Sequence, residues 1–349
     1  MAKKNPEICA VDVFCGIGGL SYGLKKSGVE ILAGIDVDPD CQYAFERNIG
    51  APFIEKDINV VKGREIKALY PPGCISLLAG CAPCTPFSSM GNAKRAKSHR
   101  MEWALLDQFT RLVREVTPDL VSMENVARVK SKAPFLRFLK TLSDLGYDVD
   151  WRSVNCLALG LPQTRRRLVL IASRIGPIAV PCGKLSSREY RTVKETIGNL
   201  PPIQAGASHK RDSLHTARKL EKINIERMKY SKPGGTWLDW PKRLRAPCHR
   251  KRTGQSFLSV YARMRWNAPS PTITTLFYNF GTGRFGHPKQ HRAISMREAA
   301  MLQGFPRNYE FIPPGFEPSF SAVGRMIGNA VPPTLGKAIG AAMLEAIAA

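Results

Sequence analysis

Three stretches of this chain carry side chains suited to making and breaking bonds. Cys84 lies in Leu77–Gly91 (LLAGCAPCTPFSSMG), where a strand-like run enters a turn and Pro83 and Pro86 bracket the thiol. Proline fixes the backbone and removes N–H donors, so the sulfur sits on a stiffened loop. A free thiol with a pKa of about 8.5 holds only a small thiolate fraction at neutral pH. Nearby arginines or a helix N-terminus would raise that fraction. Glu124, in MENV (Met123–Val126), follows an apolar run. Partial burial there would raise its proton affinity and suit it to proton donation. In QTRRR (Gln163–Arg167), strand alternation would point Arg165 and Arg167 to one side. Two cations on one face suit an anion or a carbonyl oxygen.

A fourth stretch, Val11–Leu20 (VDVFCGIGGL), places glycines directly after the first strand-like run. Such a turn lets a ligand approach the backbone at a helix N-terminus. The spacing of Gly16, Gly18 and Gly19 is not the GxGxxG dinucleotide fingerprint, and Asp12 would repel a pyrophosphate. A ligand with an ammonium group fits better. Asp36 comes twenty residues after Gly16, at the end of a second strand, where an acid typically binds ribose hydroxyls. Asp57 could accept a bond from an exocyclic amine. The glycine turn alone leaves nicotinamide, flavin and S-adenosylmethionine (SAM) open; the ordered set of acids favours an adenosyl cofactor.

The elements that must hold these groups alternate through the first half. Apolar strand runs at Glu7–Phe14, Glu30–Asp36, Ile75–Ala79, Asp119–Glu124, Tyr147–Asn155 and Arg167–Ser173 are separated, in most cases, by helical stretches. Those helices are expected at Leu20–Ser27, Cys41–Asn48, Trp103–Val116 and Phe135–Leu145. Near-continuous apolar strands with β–α spacing predict an α/β fold with a doubly wound parallel sheet covered on both faces. From about residue 176 to 270 the periodicity fades, and Pro, Gly, Arg and Lys crowd around isolated aromatics. This is expected to be a second, smaller and irregular domain. Helical patterning returns at Ser295–Leu302 and Leu335–Ala349, and the last helix is expected to dock back on the first domain.

Charge narrows the partners. The 349 residues carry 52 Lys and Arg against 28 Asp and Glu, a net charge of +24. Between Lys210 and Arg265, sixteen cations face four acids, so about a sixth of the chain holds half the excess. That concentration points to a polyanion. No apolar run of transmembrane length or signal peptide is present, so a cytoplasmic protein without membrane association is expected. Nine scattered cysteines argue against a disulfide framework. No second CxxC pair or HxxxH answers Cys81 and Cys84, so no metal is expected.

Taken in order, FCGIGG, the PC turn, ENV, QxRxR, a variable basic stretch, RMRWNAPSPTITT with GRFGHPKQHRAISMREAAMLQGFP, and GNAVPPTLG resemble the cytosine-C5 DNA methyltransferase family over nearly the whole chain. The resemblance implies a Rossmann-like SAM-dependent methyltransferase domain over 1–176, completed by 285–349, and a target-recognition domain over 177–284. It implies that Cys84 attacks carbon 6 of a flipped-out cytosine in a short duplex DNA motif. Glu124 would then serve ring nitrogen 3, and Arg165 and Arg167 the cytosine carbonyl. It implies a SAM pocket of Phe14, Gly16, Gly18, Gly19, Asp36, Val37, Asp57, Ile58, Asn329 and Val331. Its compact bacterial or phage type acts on double-stranded DNA as a monomer, either beside a cognate restriction endonuclease for the same motif or alone. The motif set runs nearly from end to end, so no regulatory domain is expected.

The cysteine turn departs from the commoner GGPPCQPFS: Cys81, Ala82 and Thr85 replace Gly, Pro and Gln. Candidate base-reading residues in the recognition stretch are Arg250, Arg252 and Gln255, with most other cations there expected to meet phosphates. The competing readings are a tRNA methyltransferase on the same scaffold, a non-catalytic DNA-binding relative and a nicotinamide oxidoreductase.

Overall fold

The computed structural model describes residues 7–83 and 92–348, and of residues 92–103 and Thr253 the backbone alone. Cys84 lies outside the described residues. The chain divides into two compact units. The first comprises Met1–Leu159, Arg166–Lys184 and Val331–Ala349; the second comprises Gly160–Arg165 and Leu185–Ala330. Residues 285–330 thus group with the second unit, whereas the sequence-based bounds put them with the first.

The first unit is built on a seven-stranded sheet. In chain order its elements are β1 (Ile8–Val13), α1 (Gly19–Ser27), β2 (Glu30–Asp36), α2 (Gln42–Ile49), β3 (Phe53–Glu55), α3 (Gly63–Lys67), β4 (Ile75–Gly80), α4 (Asn92–Val116), β5 (Leu120–Asn125), α5 (Ala133–Asp144), β6 (Asp148–Asn155) and β7 (Arg166–Ser173). The strand order is β3-β2-β1-β4-β5-β7-β6. All six residues of β1 and of β5 are buried, as expected of mainly apolar strands whose two faces are covered by helices, and the polar exceptions, Asp12, Ser122, Glu124 and Asn125, are buried with them. Strand alternation turns Val11 and Val13 to one face, into a core shared with Leu78, Phe109, Phe135, Phe138 and Leu170. On the other face Asp12 meets Ser21 of α1. There α1 packs on the C-terminal helix (Pro333–Ala348), which returns to this unit as expected. A Cβ on Gly336 would come 2.6 Å from the Leu20 carbonyl oxygen, so only glycine lets these backbones approach so closely.

The sheet is mixed rather than wholly parallel. β1, β2, β3, β4 and β5 pair in parallel, but β7 runs antiparallel to both β5 and β6. β6 and β7 are joined by residues 156–165, with only a single 3-10 turn, Cys156–Leu159. That link is shorter than the dozen or so residues, usually helical, that a parallel crossover needs. The reversal has a consequence for chemistry. It brings the start of β7 to the edge of the sheet where β4 and β5 end, with Leu168 opposite Asn125 and Val169 opposite Glu124.

The second unit holds α6 (Val193–Ile197), the hairpin β8 (Ser208–His209) and β9 (Asp212–Thr216), α7 (Lys222–Tyr230), α8 (Pro247–Arg250), α9 (Met296–Leu302) and α10 (Phe320–Asn329). One cluster packs Trp237, Trp240, Leu244, Met228 and Phe280. A second interior is polar. Arg292, wholly buried, donates to both oxygens of Glu298 at 2.7 Å, and Ser295 caps α9 on the same carboxylate. Burial alone would raise the Glu298 carboxyl, yet Arg292 and its neighbours draw it down to about 2.

Candidate active site

The glycine turn follows β1 with an unusual backbone. Phe14 takes a left-handed conformation (φ 61°) that costs a non-glycine residue energy, and Gly16 and Gly18 are also left-handed. A Cβ on Gly18 would come 2.9 Å from Ile49, whereas one on Gly16 would meet nothing within 4 Å among the described residues. Open space therefore lies over Gly16. Asp36, at the end of β2, spans this turn: one oxygen accepts from Gly16 N–H at 2.8 Å, the other from Val37 and Asp38 N–H. Burial raises its carboxyl, and these three backbone donors pull the other way. Beside it Val37 is 64% exposed, an apolar surface offered to solvent. Asp57 is exposed and caps Asn59, while Ile58 is buried in the core. Gly19 opens α1.

Asp12 lies beneath this turn. One oxygen accepts from Ser21 Oγ at 2.5 Å, and Oδ1 is buried with no hydrogen-bond partner among the described residues. Burial, with the negative charge of Asp36 adding to it, lifts its carboxyl to about 7 against the pull of the Ser21 hydroxyl. A buried acceptor, an exposed apolar side chain, an open glycine backbone and a ribose-type acid together suit an adenosyl ligand with an ammonium group.

Glu124, next to last in β5, is only 3% exposed. Its Oε1 lies 2.9 Å from Arg167 Nε, and its Oε2 accepts from the Cys81 thiol at 2.8 Å. The sheet order places β4 and β7 on either side of β5, so the carboxylate is approached from both neighbours. The next residue, Asn125, donates its side-chain amide to the Ala82 carbonyl at 3.1 Å. It thereby ties the MENV strand to the turn that leads to Cys84. The Asn125 link and the Cys81 contact were not anticipated from sequence; the only signal was their adjacency to Glu124 and Cys84.

Arg165 and Arg167 are separated by the strand boundary. β7 begins at Arg166, so the alternation that would have aligned the two does not extend to Arg165. Arg165 belongs to the second unit, 4% exposed, and donates to Gln163 Oε1, Ile273 O and Ala330 O at 3.3–3.4 Å. Gln163, wholly buried, donates to Leu302 O and Gln303 Oε1, and Gln303 in turn donates to Ala330 O at 2.7 Å. The glutamines of QTRRR and LQGFP thus knit the QTRRR segment to the backbone beside Asn329, which is exposed. Val331 is buried in the first unit.

In the basic stretch Arg250, Arg252 and Gln255 are exposed. Trp237 and Trp240 of GGTWLDW are core residues, and His249 is 4% exposed, stacked 4.3 Å from Trp237. Burial lowers the proton affinity of that imidazole, and the charges of Arg227 and Arg245 lower it further. Arg263, one of the sixteen cations, is buried and donates to the carbonyls of Met228, His287 and Gln290. It builds the fold and is not available to a phosphate.

Residues 8–345 match the family of C-5 cytosine-specific DNA methylases. The chain belongs to this family. It is 48% identical to the type II methylase M.HgiDII of Herpetosiphon aurantiacus, over 94% of this chain and 93% of that protein. It is 29% identical to the type II methyltransferase M1.HphI of Haemophilus parahaemolyticus, over 96% and 86%. Among solved structures, a candidate DNA modification methyltransferase encoded within an E. coli prophage superposes with a TM-score of 0.74 at 22% identity, over 97% of this chain and 99% of that one. S. pombe Dnmt2 superposes at 0.60 and 17%, over 97% and 98%; at these identities the likeness is one of fold. As a DNA (cytosine-5)-methyltransferase, this C-5 cytosine-specific methylase has SAM as the methyl donor its family implies. Among the described residues, no helix of the methylase is long and apolar enough to cross a membrane.

Proposed function

We propose that this methylase works through a transient bond from Cys84 to a cytosine extruded from duplex DNA. The observation that carries the reading is the edge where β4, β5 and β7 meet, with Glu124 buried between Cys81 and Arg167 just ahead of the Cys84 turn. The Cys84 thiolate attacks carbon 6 and pushes electron density onto carbon 5. Glu124 bonds and protonates ring nitrogen 3, neutralising the charge that develops. Arg165 and Arg167 hold the cytosine carbonyl oxygen. SAM held by the glycine-turn residues would supply the electrophilic methyl group for carbon 5, its S–CH3 bond breaking as the new C–C bond forms and S-adenosylhomocysteine leaving. A base then removes the proton from carbon 5, nitrogen 3 returns its proton, and the sulfur leaves by elimination, so that thiol and aromatic ring are both regained. The ring cannot be reached within a stacked duplex, so flipping costs a few kcal/mol, offset by backbone and groove contacts.

The pocket for SAM is assigned to Phe14, Gly16, Gly18, Gly19, Asp36, Val37, Asp57, Ile58, Asn329 and Val331. Asp36 takes the ribose hydroxyls, Val37 and Ile58 flank the adenine, and no metal is invoked. Residues 177–284 are assigned to target recognition, with Arg250, Arg252 and Gln255 reading bases. The likeness to type II methylases supports a restriction-modification setting, in which the enzyme shields a host's DNA, in the cytoplasm and as a monomer, from an endonuclease of the same specificity. Purified protein, tritiated SAM and long duplex DNA of mixed sequence should give labelled 5-methylcytosine. Label in tRNA and none in duplex would overturn the DNA reading.

A further inference from the structure

The residue three before the nucleophile is more often glycine in the family pattern, and here it is Cys81. β4 ends at Gly80, and the thiol of the next residue reaches the neighbouring strand, Sγ to Glu124 Oε2, 2.8 Å. From the opposite side Arg167 holds Oε1 at 2.9 Å. The residue after β4 and a residue of β7 thus each lie against one oxygen of a carboxyl that is 3% exposed, the thiol as a hydrogen bond and Arg167 as an ion pair without an aligned N–H, and turning that group would break one contact or both. Glycine at position 81 would have no side-chain donor to offer. A thiol suits a proton-transfer partner, because its S–H donates to a carboxylate and its sulfur accepts from a carboxylic acid. It keeps contact in both states.

We infer that Cys81 is a positioning residue for Glu124, its thiol holding the second carboxyl oxygen so that the acid stays aimed at cytosine nitrogen 3 while it gains and loses a proton. This rests on the reading that Glu124 serves nitrogen 3. It assigns a role to a cysteine that does not touch the substrate.

The test is single-turnover methyl transfer to mixed-sequence duplex DNA at saturating SAM, with wild type, Cys81→Ala, Cys81→Ser, Glu124→Ala and the Cys81→Ala/Glu124→Ala double variant. Cys81→Ala should slow transfer about tenfold, the scale of one hydrogen bond to a charged group. SAM and DNA affinities should stay within about twofold, which also reports that the variant is folded. Cys81→Ser, which keeps an O–H, should recover most of the rate. In the Glu124→Ala background the Cys81 substitution should add almost nothing, because the thiol then has no carboxyl to hold. A full rate in Cys81→Ala, failure of Ser to rescue, or equal losses in both backgrounds would each overturn the inference and leave a mere packing role. An unaltered rate in Glu124→Ala, or no transfer by wild type to any duplex, overturns the underlying reading of Glu124 instead, so the two failures are told apart.

Discussion

The two units place their charged side chains in opposite ways. In the first, an apolar sheet core is nearly free of charge, and the buried acids, Asp12 and Glu124, stand at or near the strand ends where chemistry is assigned. In the second, guanidinium groups are buried in the interior alongside an apolar cluster. Arg263, Arg292 and Arg297 are each under 10% exposed and are held by Glu298, Asp212 or backbone carbonyls. A buried charge in the first unit therefore falls where function is proposed, whereas in the second it builds the interior. Counting cations overstates the surface that the second unit can offer to DNA.

That contrast can be broken from either side. Glu124→Gln removes an acid at the reacting centre and should cut the methyl-transfer rate by about 10²–10⁴-fold, the usual range for a general acid, measured in single turnover. Glu298→Ala should act on folding instead. It leaves Arg292 buried and unpaired, at a cost of about 3–5 kcal/mol in denaturant unfolding. If Glu298→Ala unfolds like wild type, the polar interior is not what holds the second unit.

Asp12 gives a pH signature. Its carboxyl is raised from 3.8 to about 7 by burial. Between those values the folded chain keeps a proton that the unfolded chain loses, so this group lowers stability as pH rises through the window and adds no further change above it. Asp12→Asn removes the penalty. Its melting temperature relative to wild type should climb between pH 4 and 7, by an amount corresponding to about 2–4 kcal/mol, and level off beyond. A difference independent of pH would show that Asp12 is not held protonated.

The smallest effects separate two arginines of the same stretch. Arg250→Ala, at an exposed position, should leave stability within about 0.5 kcal/mol and lower the salt slope of DNA binding by about one contact. Arg263→Ala should do the reverse, costing about 2–4 kcal/mol of stability, since a buried guanidinium with several carbonyl partners is lost. Equal salt slopes for both variants would erase the distinction between building and binding arginines.

The same contrast explains how much could be read beforehand. The strands from Ile8 to Ser173, apart from the three-residue β3, were legible because apolar periodicity reports on a sheet buried on both faces. The direction of β7 was not, because an apolar run looks alike whichever way it runs; only the short link after β6 could have told. Glu124 and Arg167 were legible as chemistry, but not as a pair, since their contact depends on β5 and β7 being neighbours. Nearly all of the second unit's interior was hidden. Arg297 pairs with Asp212, 85 residues away, and Arg263 with carbonyls on both sides of it in sequence, patterns with no period at all. Asn125 and Gln163 stood in recognised motifs, yet their hydrogen bonds to Ala82 and Gln303 needed coordinates.

The central claim is a covalent bond at Cys84, and trapping tests it most directly. A long mixed-sequence duplex with 5-fluorocytosine in place of cytosine blocks loss of the carbon 5 substituent, so the sulfur should be unable to leave. With SAM present, wild-type protein should form a complex that survives denaturation and carries the methyl label, and Cys84→Ala should form none while still binding SAM. Wild-type enzyme that methylates ordinary duplex DNA but yields no such complex, or an equal yield from Cys84→Ala, would contradict the account.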